Sequence, residues 1–176
     1  MSHPTSAESS ALLRNRLLPD LKPGKKESGT PYLKFLINLN TPALLPMKDI
    51  QEATVLPSRL LATMPNMPPY ILGLANRRSR VIWVIDLSQV LGLEEISFIS
   101  QNHDAIIVKN GLFWAALAIY KIEGIVRFED DVIKSTPSYI SPTLTPYMNG
   151  YISQNDNMSL LLNVEAIAQS PLLQNI

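Results

Sequence analysis

The sequence predicts an all-β fold of the barrel type. Three observations carry this prediction: many short apolar segments, turn-forming residues between them, and only two short stretches with helix caps. The chain of 176 residues is long enough for one ordinary domain or for two small packed barrels. Hydrophobic residues make up 46% of it, which is sufficient for a substantial core.

The predicted barrel opens with a strand at residues 32–37 and, after a break at Pro42, continues with 43–47. Four prolines within 56–70 indicate a loop or a sheet edge, because proline donates no backbone N–H to a neighbouring strand. Residues 80–85 then form a nearly continuous apolar strand.

Two short helices are predicted from their capping residues. Asp86 is a preferred N-cap, and Gln89 three residues later can complete a capping box, so we expect a helix at 87–91. Near the C-terminus, Asn163 can cap a second helix at 164–169, which ends before a proline.

The second half of the chain carries the clearest hairpin pattern. Asn110-Gly111 separates two apolar segments at 104–109 and 112–120, and Asn-Gly is the preferred two-residue turn of a hairpin. Three more strands are expected at 123–128, 147–153 and 158–162, with a turn at 154–157 between the last two.

The chain divides into a polar tail at 1–30, one domain at 31–169 and a C-terminal tail at 170–176. The N-terminal tail is expected to be flexible. It also contains a spaced leucine group that fits either a frayed tail or a short docking helix. The group consists of Leu12, Leu13, Leu17 and Leu18.

Composition limits the classes of function. The net charge is zero, which removes a global field for attracting nucleic acid or an anionic membrane. Cysteine is absent, which excludes disulfides, thiolate ligands and a thiol nucleophile. We find neither a secretory pattern at the N-terminus nor an apolar run of about 18 residues, so we expect a cytoplasmic protein without direct membrane insertion.

The sequence offers little for catalysis. Of its two histidines, His3 lies in the tail and His103 lies in a predicted turn, so a metal site or a catalytic triad lacks partners. No phosphate-binding loop or dinucleotide motif occurs. We therefore predict no catalytic, cofactor-binding or metal-binding residue; a cofactorless enzyme around His103 and Asp104 is a remote alternative.

One charged feature stands out, the run Asn76-Arg77-Arg78-Ser79-Arg80. Arginine suits bidentate pairing with carboxylate or phosphate groups. Three interpretations remain open for this run. It is a solvated turn, a docking site for a protein, or the contact site of a nucleic-acid-binding barrel of the OB type.

Residues 69–87, which read PYILGLANRRSRVIWVIDL, resemble the central signature of CheW-like domains. Arg78 and Asn76 match the arginine and the asparagine of that signature. The likeness is colinear over about 31–169. Its other parts lie at Phe35, 43–46, Met64-Pro65, 106–108, 124–126, 147–150 and 160–163.

The sequence also departs from the family pattern. Ser79 stands where the family has glycine, and Trp83 stands where it has proline. Arg77 replaces an apolar residue, whereas Tyr120 and Asn163 each replace an aspartate. A divergent member of the family is implied.

The resemblance implies two small five-stranded SH3-like barrels that share a core, with the first strand of the chain crossing between them. It further implies a non-enzymatic scaffold without cofactors, which couples a chemoreceptor-like sensor to a CheA-type histidine kinase in chemotaxis, phototaxis or twitching motility. The implied partners are the regulatory domain of the kinase and the cytoplasmic tip of a methyl-accepting chemoreceptor, and nucleic acid is not among them.

The expected partner-binding residues come from the signature and from the bend near Pro46. For the leucines among them, the alternative is a place in the barrel core, because apolar strand residues are mostly buried. The expected residues are Asn76, Arg78, Arg80, Leu44, Leu45, Leu72 and Leu74.

Overall fold

The computed structural model describes residues 28–94 and 101–176 and contains two five-stranded sheets, which confirms the predicted all-β class. The strands are β1 Thr30–Leu36, β2 Pro42–Pro46, β3 Ile50–Pro57, β4 Ile71–Arg77, β5 Arg80–Asp86, β6 Asn102–Asn110, β7 Phe113–Ile119, β8 Lys121–Phe128, β9 Met148–Gln154 and β10 Asn157–Leu162. The helices are α1 Leu87–Val90 and α2 Val164–Ala168, with single 3-10 turns at Met47–Asp49, Ser58–Leu60, Asp130–Val132 and Thr145–Tyr147.

The two sheets are interleaved along the chain. The first has the strand order β8-β1-β2-β10-β9, and the second has the order β3-β6-β7-β5-β4. We call them barrel 1 and barrel 2. Barrel 1 therefore uses strands from both ends of the domain, whereas barrel 2 is made of five consecutive strands.

The first strand does not cross between the barrels, which corrects the expectation from the resemblance. β1 lies inside barrel 1, where Leu33 is paired with Leu45 of β2 on one side and with Ile125 of β8 on the other. Both edges of the strand are hydrogen-bonded within one sheet, so neither remains for the second sheet.

A single hydrophobic core joins the two barrels. Leu33 and Phe35 of barrel 1 pack in the same cluster as Ile85, Ile106 and Leu117 of barrel 2, and each of these side chains is at most 1% exposed. Barrel 2 also has a smaller core of its own, in which alanine is common. The buried members of that core are Leu56, Ala75, Ile82, Val84, Ala105, Ile107, Ala116 and Ala118.

Two strands were not predicted from the sequence. β3 is an edge strand that ends at Pro57, which agrees with the interpretation of the proline-rich stretch 56–70 as a loop or a sheet edge. β4 contains Gly73, whose φ of 144° and close approach to the carbonyl oxygen of Ala62 leave no room for a side chain. This glycine belongs to a strand, and it allows two backbones to approach each other.

Both predicted hairpins are present, although one turn is shifted by a residue. Asn110 pairs with Phe113, so the central turn residues are Gly111 and Leu112 rather than Asn110-Gly111. Gly111 has a φ of 57°, so the glycine takes the positive φ that the tight turn requires.

Both helices begin at the predicted caps. The side chain of Asp86 accepts hydrogen bonds from the backbone N–H groups of Ser88 and Gln89, and that of Asn163 accepts one from Ala166. Gln89 donates from its side chain to the carboxylate of Asp86 at 2.8 Å, instead of capping the Asp86 backbone. α1 and α2 each end one residue earlier than predicted.

The C-terminal residues are packed against the domain and do not form the expected tail. Leu173 is 3% exposed and belongs to the shared core, and the hydroxyls of Ser170 and Tyr147 lie 2.8 Å apart. The hydroxyl of Tyr70 donates to the carbonyl oxygen of Leu172 at 2.8 Å. The leucine group of the predicted N-terminal tail lies outside the described residues.

Candidate functional site

The arginine run forms the tight turn between β4 and β5. Arg77 pairs with Arg80, so Arg78 and Ser79 are the two central residues of the hairpin, with φ values of 50° and 61°. Residues other than glycine, asparagine and aspartate are strained in this left-handed region. The departure from glycine at Ser79 therefore falls on a position that requires positive φ.

Replacing Ser79 with glycine is expected to raise the free energy of unfolding by about 0.5–1 kcal/mol. Glycine removes a strain of about 1–2 kcal/mol, but part of this gain is offset by the greater freedom of the unfolded chain. Chemical denaturation of the variant measures the change. Asn155→Gly is the control, because Asn155 has a φ of 50° in the β9–β10 turn and asparagine tolerates that region. An equal gain in both variants would contradict the explanation.

Glu52 of β3 anchors the hairpin through two arginines. Its Oε1 accepts a bond from Nε of Arg77 at 3.1 Å and a second bond from Nη2 of the same residue. That Nη2 also donates to Oγ1 of Thr54 at 3.1 Å. The other carboxylate oxygen of Glu52 faces Nε of Arg78 at 3.3 Å. The carboxylate thus joins β3 to the end of β4.

The two neighbouring arginines have different surroundings. The side chain of Arg77 is 15% exposed and that of Glu52 is 12% exposed, whereas the side chain of Arg78 is 77% exposed. Arg77 therefore belongs to the structure of the barrel, and Arg78 presents its guanidinium to solvent. The role of Glu52 was missed at the sequence level. A carboxylate inside an otherwise uncharged segment, 50–57, was the available indication.

A groove of about 240 Å³ opens beside this hairpin at one end of barrel 2. Ile82 and Ile107, two members of the barrel 2 core, line its inner part, and Trp114 of β7 lines its side. The guanidinium carbon of Arg80 lies 4.6 Å from the centre of the Trp114 ring. Nζ of Lys109 lies 5.3 Å from the same centre. We call this site the arginine groove; its lining residues are Gln51, Glu52, Arg77, Arg78, Arg80, Ile82, Ile107 and Trp114.

The structure brings some of the expected partner-binding residues together and separates others. Arg78 and Arg80 both line the arginine groove. Asn76 is exposed on β4 opposite Val81, whose side chain is 65% exposed. Leu74 is half-buried.

Leu44 and Leu45 do not lie on a docking surface. They are 1% and 0% exposed, because β2 is held between β1 and β10 and both of its faces are covered. Leu45 packs in the shared core, and Leu44 packs in a separate cluster with Tyr32 of barrel 1. Leu72 is half-buried against the barrel 2 core. For Leu44 and Leu45, the barrel-core alternative is therefore the correct one.

His103 is 6% exposed on β6 and is not in a solvated turn as expected. Its Nε2 lies 2.9 Å from Oγ of Ser58, which connects β6 to the turn after β3. Burial lowers the pKa of His103 below its ordinary value of 6.5, and the negative charge of Asp86 opposes part of this shift. Within the two described ranges, no group of three histidine or carboxylate side chains is arranged to hold a metal ion.

The lowered pKa of His103 predicts a loss of stability in mild acid. Below about pH 6.5 the unfolded chain binds a proton that the folded protein accepts only at lower pH, so the free energy of unfolding falls. Above that pH both states are neutral and the effect disappears. Denaturation midpoints between about pH 7.5 and 5.5 should decrease less in His103→Gln than in the unchanged protein. His3→Gln is the control and should keep the original slope; equal slopes in all three proteins would contradict the assignment.

No helix among the described residues has the length and apolar character needed to cross a membrane. The longer of the two α-helices in residues 28–94 and 101–176, α2, has five residues.

Two five-stranded barrels with one shared core place the chain in the class of double-barrel β domains. The sequence model of the CheW-like domain matches residues 31–172. The chain therefore belongs to the CheW-like domain family.

Two known proteins show how far the similarity extends. The chain is 27% identical over 104 residues to "Probable chemotaxis protein CheW" from Rhizobium etli, an alignment that covers 59% of this chain and 66% of that protein, slightly less than two thirds. The crystal structure of scaffolding protein TtCheW from Thermoanaerobacter tengcongensis superposes with a TM-score of 0.68 at 20% identity. The superposition covers 82% of this chain and 95% of the TtCheW chain, so the two proteins share the same fold.

Proposed function

We propose that this protein is a non-enzymatic scaffold of a chemotaxis-type signalling system. In this role it holds a chemoreceptor-like sensor against a CheA-type histidine kinase. The proposed contacts are the regulatory domain of the kinase and the cytoplasmic tip of a methyl-accepting chemoreceptor, so the protein acts in the cytoplasm. Chemotaxis, phototaxis and twitching motility are the kinds of behaviour that such a system serves.

The observation that carries this proposal is the exposed Arg78 on a turn fixed by Glu52, within a domain of the CheW-like family. A guanidinium that is held at one nitrogen and exposed at the others is ready to pair with a partner carboxylate. Two rigidly joined barrels also offer separate surfaces, so that one body can bind two partners and raise their effective concentration. The names of the two similar proteins, a chemotaxis protein and a scaffolding protein, agree with this role.

Replacing Arg78 with glutamate is expected to reduce capture of the kinase or of the receptor at least about tenfold, which corresponds to about 1.4 kcal/mol. The new carboxylate repels both Glu52 and a carboxylate on the partner. The measurement is a pull-down with purified kinase regulatory domain and receptor tip from the same organism, with circular dichroism as the check on folding.

Lys121→Glu is the matched control, because it makes the same change of charge at an exposed position on β8, in the other barrel. It should bind like the unchanged protein. Unchanged binding by the folded Arg78→Glu variant would reject the proposed role of Arg78. Failure of the unchanged protein to bind either partner would reject the scaffold function itself.

A further inference from the structure

We propose that the arginine groove receives an acidic segment of the partner, with one aliphatic side chain inserted and carboxylates beside it paired with Arg78 and Arg80. This inference rests on the proposed function and adds the chemistry that the partner must present. The charges of the groove, the apolar residues at its base and the arrangement around Trp114 each support it.

The charges of the groove favour an anionic occupant. Three arginines line it, and Glu52 is the one acidic residue among its lining residues. That carboxylate is already bonded to Arg77 on one oxygen and to Arg78 on the other. Among the described residues, no carboxylate lies within ion-pair distance of Arg80. The groove therefore has an excess of two positive charges, although the whole chain has none.

The inner part of the groove favours an apolar side chain. Ile82 and Ile107 form its base but are only 2% and 3% exposed, and the half-buried ring of Trp114 supplies further apolar surface beside them. A volume of about 240 Å³ is below the usual range of small-molecule pockets, about 300–1,000 Å³, but it accommodates one aliphatic side chain. A side chain that enters a desolvated pocket, with surrounding contacts that exclude water, contributes more to binding than the exposed contacts around it.

Trp114 holds the rim in place before a partner arrives. Lys109 is its cross-strand neighbour, and Arg80 lies against the same ring, so two cations are kept near one aromatic side chain by cation–π attraction. Cations that are already ordered lose less entropy when they bind carboxylates. Arg80 and Lys109, both held against Trp114, consequently make this end of barrel 2 selective for an acidic partner.

The segment of this chain that precedes the described residues does not suit the groove. It contains five basic residues and three acidic ones, so its net charge is positive and the excess positive charge of the groove repels it. The basic residues are Arg14, Arg16, Lys22, Lys25 and Lys26. An acidic segment on another molecule is the occupant that the charges favour.

The test is an NMR titration of the full chain with a blocked peptide of sequence Glu-Glu-Leu-Glu-Glu. We expect shifts of the Trp114 indole N–H and of the Arg78 and Arg80 side-chain signals. The peptide with glutamine in place of every glutamate should bind at least about tenfold more weakly, and salt should weaken the acidic peptide alone. Arg80→Glu should abolish the shifts, whereas Lys121→Glu should retain them.

Three results would overturn the inference. The first is an acidic peptide that binds no more tightly than the glutamine peptide, which includes the case of no shift at Trp114 with either. The second is tighter binding of a single-stranded oligonucleotide than of the acidic peptide, which would assign the groove to nucleic acid. The third is self-association in sedimentation that Arg80→Glu abolishes, which would assign the groove to a second copy of this chain.

If the peptide fails to bind while capture of the kinase or the receptor still depends on Arg78, the inference alone is wrong. If the peptide binds while neither partner is captured, the proposed function is wrong.

Discussion

Replacing Glu52 with alanine is expected to lower the free energy of unfolding by about 2–3 kcal/mol. The change leaves the guanidinium of Arg77, which is only 15% exposed, without its carboxylate. Removing one partner of a buried ion pair usually costs about 3–5 kcal/mol, and the remaining exposure and the bond to Thr54 reduce this value. Equilibrium denaturation in guanidinium chloride, followed by tryptophan fluorescence, measures the loss.

The double variant Glu52→Leu, Arg77→Met separates the cost of an unpaired charge from the value of the pair. Apolar side chains of similar volume fill the same space and need no hydrogen-bond partners. The free energy of unfolding of the double variant should therefore lie within about 1 kcal/mol of that of the unchanged protein. If it is as unstable as Glu52→Ala, then packing rather than the lost charge pair explains the effect. If Glu52→Ala is as stable as the unchanged protein, then Arg77 does not depend on Glu52.

Replacing Phe35 with alanine is expected to cost about 3–5 kcal/mol and to destabilise both barrels together. The ring is fully buried on β1 of barrel 1, yet it packs in the same cluster as Ile85 and Leu117 of barrel 2. The cost consists of the lost apolar burial and of the cavity left behind. Trp83 and Trp114 in barrel 2 should then report the same lower midpoint as the far-ultraviolet circular dichroism of the whole chain.

Leu39→Ala is the control for this prediction, because Leu39 is 67% exposed and lies just after β1. Its effect should remain within about 0.5 kcal/mol. Two separate transitions in Phe35→Ala, with the tryptophans of barrel 2 unfolding at the original midpoint, would show that the barrels are independent and that the core is not shared.

Much of the fold could be predicted from the sequence where local chemistry decides the structure. Asp86 and Asn163 cap helices because their side chains accept backbone N–H bonds, whatever the tertiary context. The hairpins around Gly111 and Asn155 form because these residues tolerate positive φ. β3 and β4 were missed because Pro57 and Gly73, which usually interrupt strands, lie within strands at places where the backbone needs them.

The candidate site was predicted only in part, because exposure depends on contacts distant in sequence. The resemblance pointed to Arg78 as a partner-binding residue, and the structure has it in an exposed turn. It could not show that Leu44 is buried, since Ile152 and Leu161, which pack against it, lie more than a hundred residues later. The same limit applies to Glu52, which reaches Arg77 across 25 positions, and to Trp114, which meets Arg80 only through the parallel pairing of β5 and β7.

The pairing of β2 with β10 has a consequence for biosynthesis. β2 is complete once Pro46 has been made, but the strand beside it begins at Asn157, so the first barrel cannot close until Asn157–Leu162 has left the ribosome. At a synthesis rate of about 5–20 residues per second, β1 and β2 are complete roughly 6–22 seconds before the synthesis of β10 begins. During that interval the aliphatic faces of these strands are accessible to chaperones and to non-native contacts. The five strands of the second barrel, in contrast, can assemble as they emerge.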